Sequence, residues 1–432
     1  MKLIGKLIRY TLFLMIALSL FLSWKLWTNS GSKVEEQPVN KSEQIANMKQ
    51  PKDVFLPVKL VYHDSKGDHY YSSKESLIQS MSKEIFERMG DELPVEKSRK
   101  KIEPHLIKGS FDLSMSSPLS LAYYLKINDK EVPSHIKKDV TFRRILVSFL
   151  DNHIHFIDNE NNQIYQTELL GDPNEVKAIL KKEGNRFLPV DNPKMDLPVY
   201  YEFKNDITLK KYSYIVATQS YTMFSKSFFD DNQEVFSNDD HKDSKNVSLM
   251  NAEGGTLDIM YDTGEVRFNS RFDSEKARDL GTDTIYEDTF FYLKNTGNAL
   301  GTIRYFEGTP NRVTYRNYVE GYPIFSDNGK GRMDISRENK NIKISTNQET
   351  IQVPIPSEEE VVLESTDKII EKLQLKGMDV KDIQGLQIGY TWEANQETKQ
   401  VVDLVPEWYI KLKDKWESLS VVSKMLEKGV EE

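Results

Sequence analysis

Residues 255–269 read GTLDIMYDTGEVRFN, and residues 331–345 read GRMDISRENKNIKIS. Both open G-x-[LM]-D-I, as Gly255-Thr256-Leu257-Asp258-Ile259 and Gly331-Arg332-Met333-Asp334-Ile335. In each, apolar residues alternate with polar ones on either side of a turn, Asp262-Thr263-Gly264 in the first and Glu338-Asn339-Lys340 in the second. That pattern predicts two β-hairpins with one face buried.

A helix is expected after each hairpin. The first covers about residues 283–294. The second begins at Ser357, with Glu360 three positions on as a capping box, and runs to Leu375. Glu358, Glu359 and Glu360 then lie in a first helical turn, where the dipole favours negative charge. A second pair of strands follows each helix: LGTIRYF (300–306) with RVTYRNYVEGYPIF (312–325), and LQIGYTWEA (386–394) with QVVDLVPEWYIKLKDKW (400–416). Hairpin, helix, hairpin thus occurs twice, which predicts tandem α+β domains of similar topology, 193–325 and 326–432.

Outward from the repeat, residues 53–192 read as a further extracytoplasmic domain. VFLPVKLVYHD (54–64) has strand spacing. KESLIQSMSKEIFERMG (74–90) puts Leu77, Ile78, Met81, Ile85, Phe86 and Met89 on one helical face, with Gly90 as the stop. Residues 141–169 read as strands joined by a DNENN turn, and PNEVKAILKKEG (173–184) as a short helix. Pro189, Pro193 and Pro198 crowd a boundary. Residues 28–52 are polar and lack aromatic residues, as a linker would.

At the front, residues 10–27 read YTLFLMIALSLFLSWKLW, with one charge, Lys25. At about 1.5 Å per residue this run reaches roughly 27 Å, near the thickness of a bilayer core. Lys2, Lys6 and Arg9 precede it, which places residues 1–9 in the cytoplasm and the bulk outside. No small-x-small cleavage site follows; the run ends in Trp24, Lys25 and Trp27, so an anchor that stays is expected rather than a cleaved signal. Ser19 and Ser23 are four apart on one helix face. With Thr11, Met15 and Trp27 they form one stripe, the predicted transmembrane interaction face, because small hydroxylated residues let helices approach in lipid.

The chain of 432 residues carries a net charge of −9, and its first thirty residues hold four bases and no acid, leaving −13 for the rest. An acidic body argues against nucleic acid as a partner. The absence of cysteine excludes a disulfide framework, a zinc–thiolate site and a cysteine nucleophile. Catalytic motifs are not found. DNGKGR (327–332) lacks the spacing of a phosphate loop and reads as a turn. Asp151, His153 and His155 would share a strand face and could suit zinc, but read better as an exposed face beside the DNENN turn. Asp239, Asp240, His241 and Asp243 read as a solvated loop, and so do His63, Asp64, Asp68 and His69 around Gly67. Trp392, Trp408, Tyr409 and Trp416 read as cross-strand packing before carbohydrate binding. No catalytic, cofactor-binding or metal site is therefore assigned.

The segments LSLFLSWKLWT (18–28), LDIMYDTGEVRFN (257–269), NYVEGYPIF (317–325) and LVPEWYIKLKDKW (404–416) resemble the YycH (WalH) family of Firmicutes. The resemblance runs from anchor to C-terminus and rests on the order of weak motifs. It implies a single-pass protein of the cell membrane with a three-domain outer part. It also implies a YycI-like partner and regulation of a WalK-like sensor histidine kinase, which acts through WalR on cell-wall metabolism, with no enzymatic activity of its own. The alternative function is a tethered cell-wall-binding module or hydrolase.

Overall fold

The computed structural model describes residues 6, 12, 15–19, 49–97, 103–158, 163–182, 184–195, 197, 201–229, 234–237, 246–273, 277–398 and 400–429. Two units are separate, residues 1–47 and residues 48–432. In the first, the described residues 6, 12 and 15–19 are helical.

The second unit begins with nine strands: β1 (Lys59–His63), β2 (His69–Ser72), β3 (Val95–Lys97), β4 (Ser110–Ser120), β5 (Thr141–Ser148), β6 (His153–Asp158), β7 (Gln163–Glu168), β8 (Leu188–Asp191) and β9 (Glu202–Phe203). They form one antiparallel sheet in the order β3-β7-β6-β5-β4-β1-β2-β8-β9. The helix Glu75–Arg88 covers it with Leu77, Ile78, Met81, Ile85 and Phe86 buried, as the 3.6-residue period predicts. The helix Pro173–Leu180 starts at Asp172, whose carboxylate accepts from Asn174 N, and carries Pro at its first position.

The rest of the chain supplies β10 (Ile207–Lys210), β11 (Tyr212–Thr218), β12 (Val235–Ser237), β13 (Asn246–Asn251), β14 (Thr256–Met260), β15 (Glu265–Arg271), β16 (Ile303–Thr309), β17 (Arg312–Val319), β18 (Tyr322–Phe325), β19 (Arg332–Glu338), β20 (Asn341–Asn347), β21 (Glu349–Ile355), β22 (Glu360–Leu363), β23 (Gly385–Ala394), β24 (Val401–Leu412) and β25 (Lys415–Ser418). Most join a second sheet in the order β12-β13-β14-β15-β20-β19-β17-β18-β23-β24-β11-β21, with β16 added on β17 and β25 on β24. Strands β10 and β22 pair apart from it. The pairing of β18 with β23 is parallel.

Both predicted hairpins form, β14–β15 and β19–β20. Their buried residues are the alternating ones, Leu257, Ile259, Val266 and Phe268 in the first and Met333, Ile335, Ile342 and Ile344 in the second. The helix Ile285–Asn295 follows the first and is capped by Thr284, whose hydroxyl accepts from Glu287 N. Hairpin β16–β17 follows it, and hairpin β23–β24 follows the helix Thr366–Leu375. The two leading hairpins also join edge to edge through their second strands, β15 and β20, with Phe268 opposite Ile344.

One expected boundary is corrected. The second helix begins at Thr366, not at Ser357. Residues Glu360–Leu363 form β22, because β10 offers an antiparallel edge and sets Lys210 opposite Glu360. Val361 and Val362 suit a strand better than a helix. Glu358 and Glu359 lie before that strand, near Lys210 at 3.6 Å and Lys211 at 3.0 Å, and outside any helical turn. Residues 327–332 turn into the second hairpin as expected, with Gly329 and Gly331 at positive φ.

The largest core spans the first sheet and both leading hairpins. Phe55, just ahead of β1, is fully buried and meets Tyr123 at 5.0 Å, Tyr305 at 5.5 Å and Tyr315 at 6.0 Å between ring centroids. A second core gathers β23, β24, β10 and the helix Thr366–Leu375 around Trp408, Tyr390 and Leu404.

Candidate functional sites

Of the predicted transmembrane face, Met15 and Ser19 are helical and exposed, one turn apart on the same side. Thr11, Ser23 and Trp27 lie outside the described residues. Among the described residues, no helix is long and apolar enough to cross a membrane.

Asp151 sits in the β5–β6 turn, exposed. His153 Nδ1 bonds its carbonyl oxygen at 2.7 Å and stands 4.0 Å from its carboxylate. His153 and His155 rings stack at 6.0 Å. Among the described residues, no three histidine or carboxylate side chains converge as metal ligands would. The acidic cluster Asp239–Asp243 lies outside the described residues. Trp408 is buried against Phe203 at 6.0 Å, and Tyr409 stacks on Phe325 at 3.8 Å, so both pack in the sheet. Trp392 and Trp416 are half-buried.

The reading of His63, Asp64, Asp68 and His69 as one solvated loop is half right. Asp64 does close a turn, its carboxylate accepting from the amides of Lys66, Gly67 and Asp68. The two histidines are different. They are opposite each other in the β1–β2 register and show 1% and 7% of their surface. His63 Nδ1 lies 2.8 Å from His69 Nδ1. His63 Nε2 lies 2.9 Å from Asp112 Oδ1 on β4, and His69 Nε2 lies 2.8 Å from Asn192 Oδ1 after β8. Tyr201 donates to Asp112 Oδ2 at 2.6 Å, and Ser114 does so at 3.1 Å. The Arg144 guanidinium lies 5.5 Å from the Tyr201 ring centroid.

Only one proton fits between the two facing Nδ1 atoms, so one ring donates to the other there, and Asp112 accepts from the outer nitrogen of His63. Burial and the charge of His63 hold His69 below the ordinary histidine value. Burial alone would raise Asp112, but the bond from His63 and the Arg144 charge outweigh it and hold the carboxyl below its ordinary value. Burial beside Arg144 brings Lys59, at the start of β1, down to about 8. With Asp112 fully buried, this network fastens β1, β2, β4 and the chain around β8–β9; it does not present reactive groups to solvent. The signal in the sequence was Asp112 itself, the lone acid in the apolar strand SFDLSM.

Comparison with known proteins bears on the fold and the family. A crystal structure of YycH from Bacillus subtilis superposes with a TM-score of 0.65 over 86% of this chain and 97% of that chain, at 13% identity, which shows a common fold. No curated protein sequence matches. The family model described as YycH protein, C-terminal domain, matches residues 199–425, more than half of the chain. The chain belongs to the YycH family.

Proposed function

We propose that this protein is a non-enzymatic, membrane-anchored regulator of a WalK-like sensor histidine kinase. The observation that carries the reading is the family match over residues 199–425 behind a charge-free run, Tyr10–Leu22, flanked by bases on its N-terminal side. In this reading, residues 10–27 cross the bilayer, residues 1–9 are cytoplasmic and the body from residue 53 is extracytoplasmic. A YycI-like membrane protein is its companion. The face Thr11, Met15, Ser19, Ser23 and Trp27 packs against the membrane helices of the complex.

The mechanism is a shift of population. A helix that packs better against one state of the kinase than the other favours that state by its differential affinity, and by no more than that. The outer body positions the helix through its contacts with the companion. The test is to express residues 1–30 alone in cells that lack the full chain and to read kinase output from a WalR-dependent promoter. A change in output that Ser19→Leu with Ser23→Leu abolishes supports the proposal. No change from the segment sinks it.

A further inference from the structure

A groove of about 950 Å³ opens between β16–β17 on one side and β23–β25 on the other. Ligand sites of this size are ordinary. Arg316 of β17 contributes to its lining and shows only 7% of its surface. Its guanidinium lies between two rings, 4.8 Å from the centroid of Phe306 and 4.2 Å from that of Phe325. Nη1 donates to the Ile324 carbonyl at 2.9 Å, and Nε is buried with no partner. Among the described residues no acceptor stands on Nη2 either. The Nε–H and the near proton of Nη2 form one edge of the guanidinium, the edge that takes both oxygens of a carboxylate or phosphate.

The neighbours do not supply that oxyanion. Arg332 stands directly across the β17–β19 ladder from Arg316, and its Nε is also buried without a partner. Asp334 is shared by Arg312, at 2.7 Å, by Arg332 and by the Thr314 hydroxyl. Three guanidinium groups thus have one carboxylate among them. Glu307 is already engaged through Oε1, which accepts from Lys411 Nζ at 3.0 Å and from Trp416 Nε1 at 2.9 Å, and no bond joins it to Arg316 among the described residues. Burial and the charge of Arg332 bring Arg316 down to about 10, in spite of Asp334 and Glu307. A buried cation with an open bidentate edge is costly to the fold and is satisfied when a ligand brings the anion.

We propose that this groove is a binding site for a zwitterionic peptide, whose free carboxylate docks on Arg316 with Arg332 beside it. The rest of the lining carries both signs, with Lys413 and Lys415 beside the acids, which suits a ligand that is itself zwitterionic. Asp327, Glu393, Glu407 and Glu417 also line the groove, and among the described residues none of them pairs with a cation. They suit amino groups on the ligand. Trp392 and Trp416 provide flat apolar surface for the stretch between.

The test is titration calorimetry on the full chain in detergent micelles. The probes are the tripeptide Lys-Ala-Ala with a free C-terminus, the same peptide amidated, and inorganic phosphate at matched ionic strength. The expected result is saturable binding of the free acid, weakened by at least about tenfold on amidation and by a similar factor in Arg316→Lys, which keeps the charge and loses the fork. Arg332→Gln, at a half-exposed position, weakens it several-fold. Should Arg316→Lys fail to fold, the free-acid and amide comparison on the unaltered chain decides alone. Absence of saturable binding, equal affinity for acid and amide, or tighter binding of phosphate than of peptide overturns the proposal.

Discussion

Two buried networks, one around Asp112 and one around Arg316, are completed in opposite ways. At Asp112 the buried carboxylate is bonded by His63, Tyr201 and Ser114, and each ring nitrogen of His63 has a partner. At Arg316 one nitrogen has a carbonyl, two rings cover the faces, and the forked edge has no acceptor among the described residues. The first arrangement is closed and serves the fold. The second is incomplete, and incompleteness in a buried cation points to something that arrives from outside.

The largest effect is expected at the closed network. Asp112→Ala strands the buried His63 Nε2 and the Tyr201 hydroxyl, at a cost of about 3–5 kcal/mol. Urea unfolding of the variant measures it. A loss under about 1 kcal/mol would mean that the network is not what fastens β1 to β4.

The two regions meet at the β17–β18 turn, where Gly321 lies at φ +80° against Ser73, just after β2. Ser73 donates to the Glu320 carbonyl at 3.2 Å. Gly321→Ala puts a methyl group onto the Ser73 carbonyl oxygen. The left-handed backbone alone costs about 1–2 kcal/mol, and the overlap adds to it. Thermal unfolding that falls in one cooperative step, at a lower midpoint, fits coupled regions. A split into two steps breaks the comparison into two independent bodies.

Acid comes next. His69 is held below its ordinary value, so the unfolded chain binds the extra proton first. Its contribution is present above about pH 6.5 and is lost as pH falls below that, through the folded value. The charged and titratable groups around the pair are Asp112, His105, Lys204 and Arg144; His105 lies 6.4 Å from His69 and is also held down by burial. Asp112 acts further into acid, below the ordinary carboxylate range. The thermal midpoint should therefore drop between pH 7.5 and 5.5, and His69→Gln should flatten that drop. Lys59, at about 8, acts only in the alkaline range and does not enter this window.

Arg316→Met sharpens the contrast from the other side. Removing a buried cation without a counter-charge relieves its desolvation, so the unliganded protein is expected to change by less than about 1 kcal/mol, with either sign. A loss comparable with that of Asp112→Ala would make Arg316 a structural residue. The smallest effect belongs to His153→Ala, at the half-exposed start of β6, which should stay within about 0.5 kcal/mol by the same urea titration.

Local patterns in the sequence account for much of the fold. Alternation around Gly264 and Asn339 located both leading hairpins, and the period of six apolar residues located the helix Glu75–Arg88. Non-local pairing was hidden. Nothing in GEVRFN or NIKIS says that β15 and β20 lie side by side, because any two alternating strands with a buried face are compatible. The helix boundary at Ser357 failed for the same reason, since β10, about 150 residues earlier, recruits Glu360–Leu363 as a strand. The histidine network was missed because each member has a partner far along the chain: His63 with Asp112, His69 with Asn192, Asp112 with Tyr201. Arg316 was missed because RVTYRNYV reads as an ordinary strand with its arginines outward, and only the β17–β19 register puts Arg332 against it. The anchor face was read from spacing and from family resemblance, and Met15 and Ser19 are the members of it that the structure describes.

Under the proposed function, the segment at residues 10–27 carries the regulatory output. The most direct measurement exchanges residues 10–27 for an unrelated transmembrane helix of equal length, with residues 28–432 intact and the surface level matched, and reads kinase output from a WalR-dependent promoter. The account predicts loss of regulation with the outer body still folded and displayed. Full regulation by the exchanged chain would contradict it and move the working surface to the outer body.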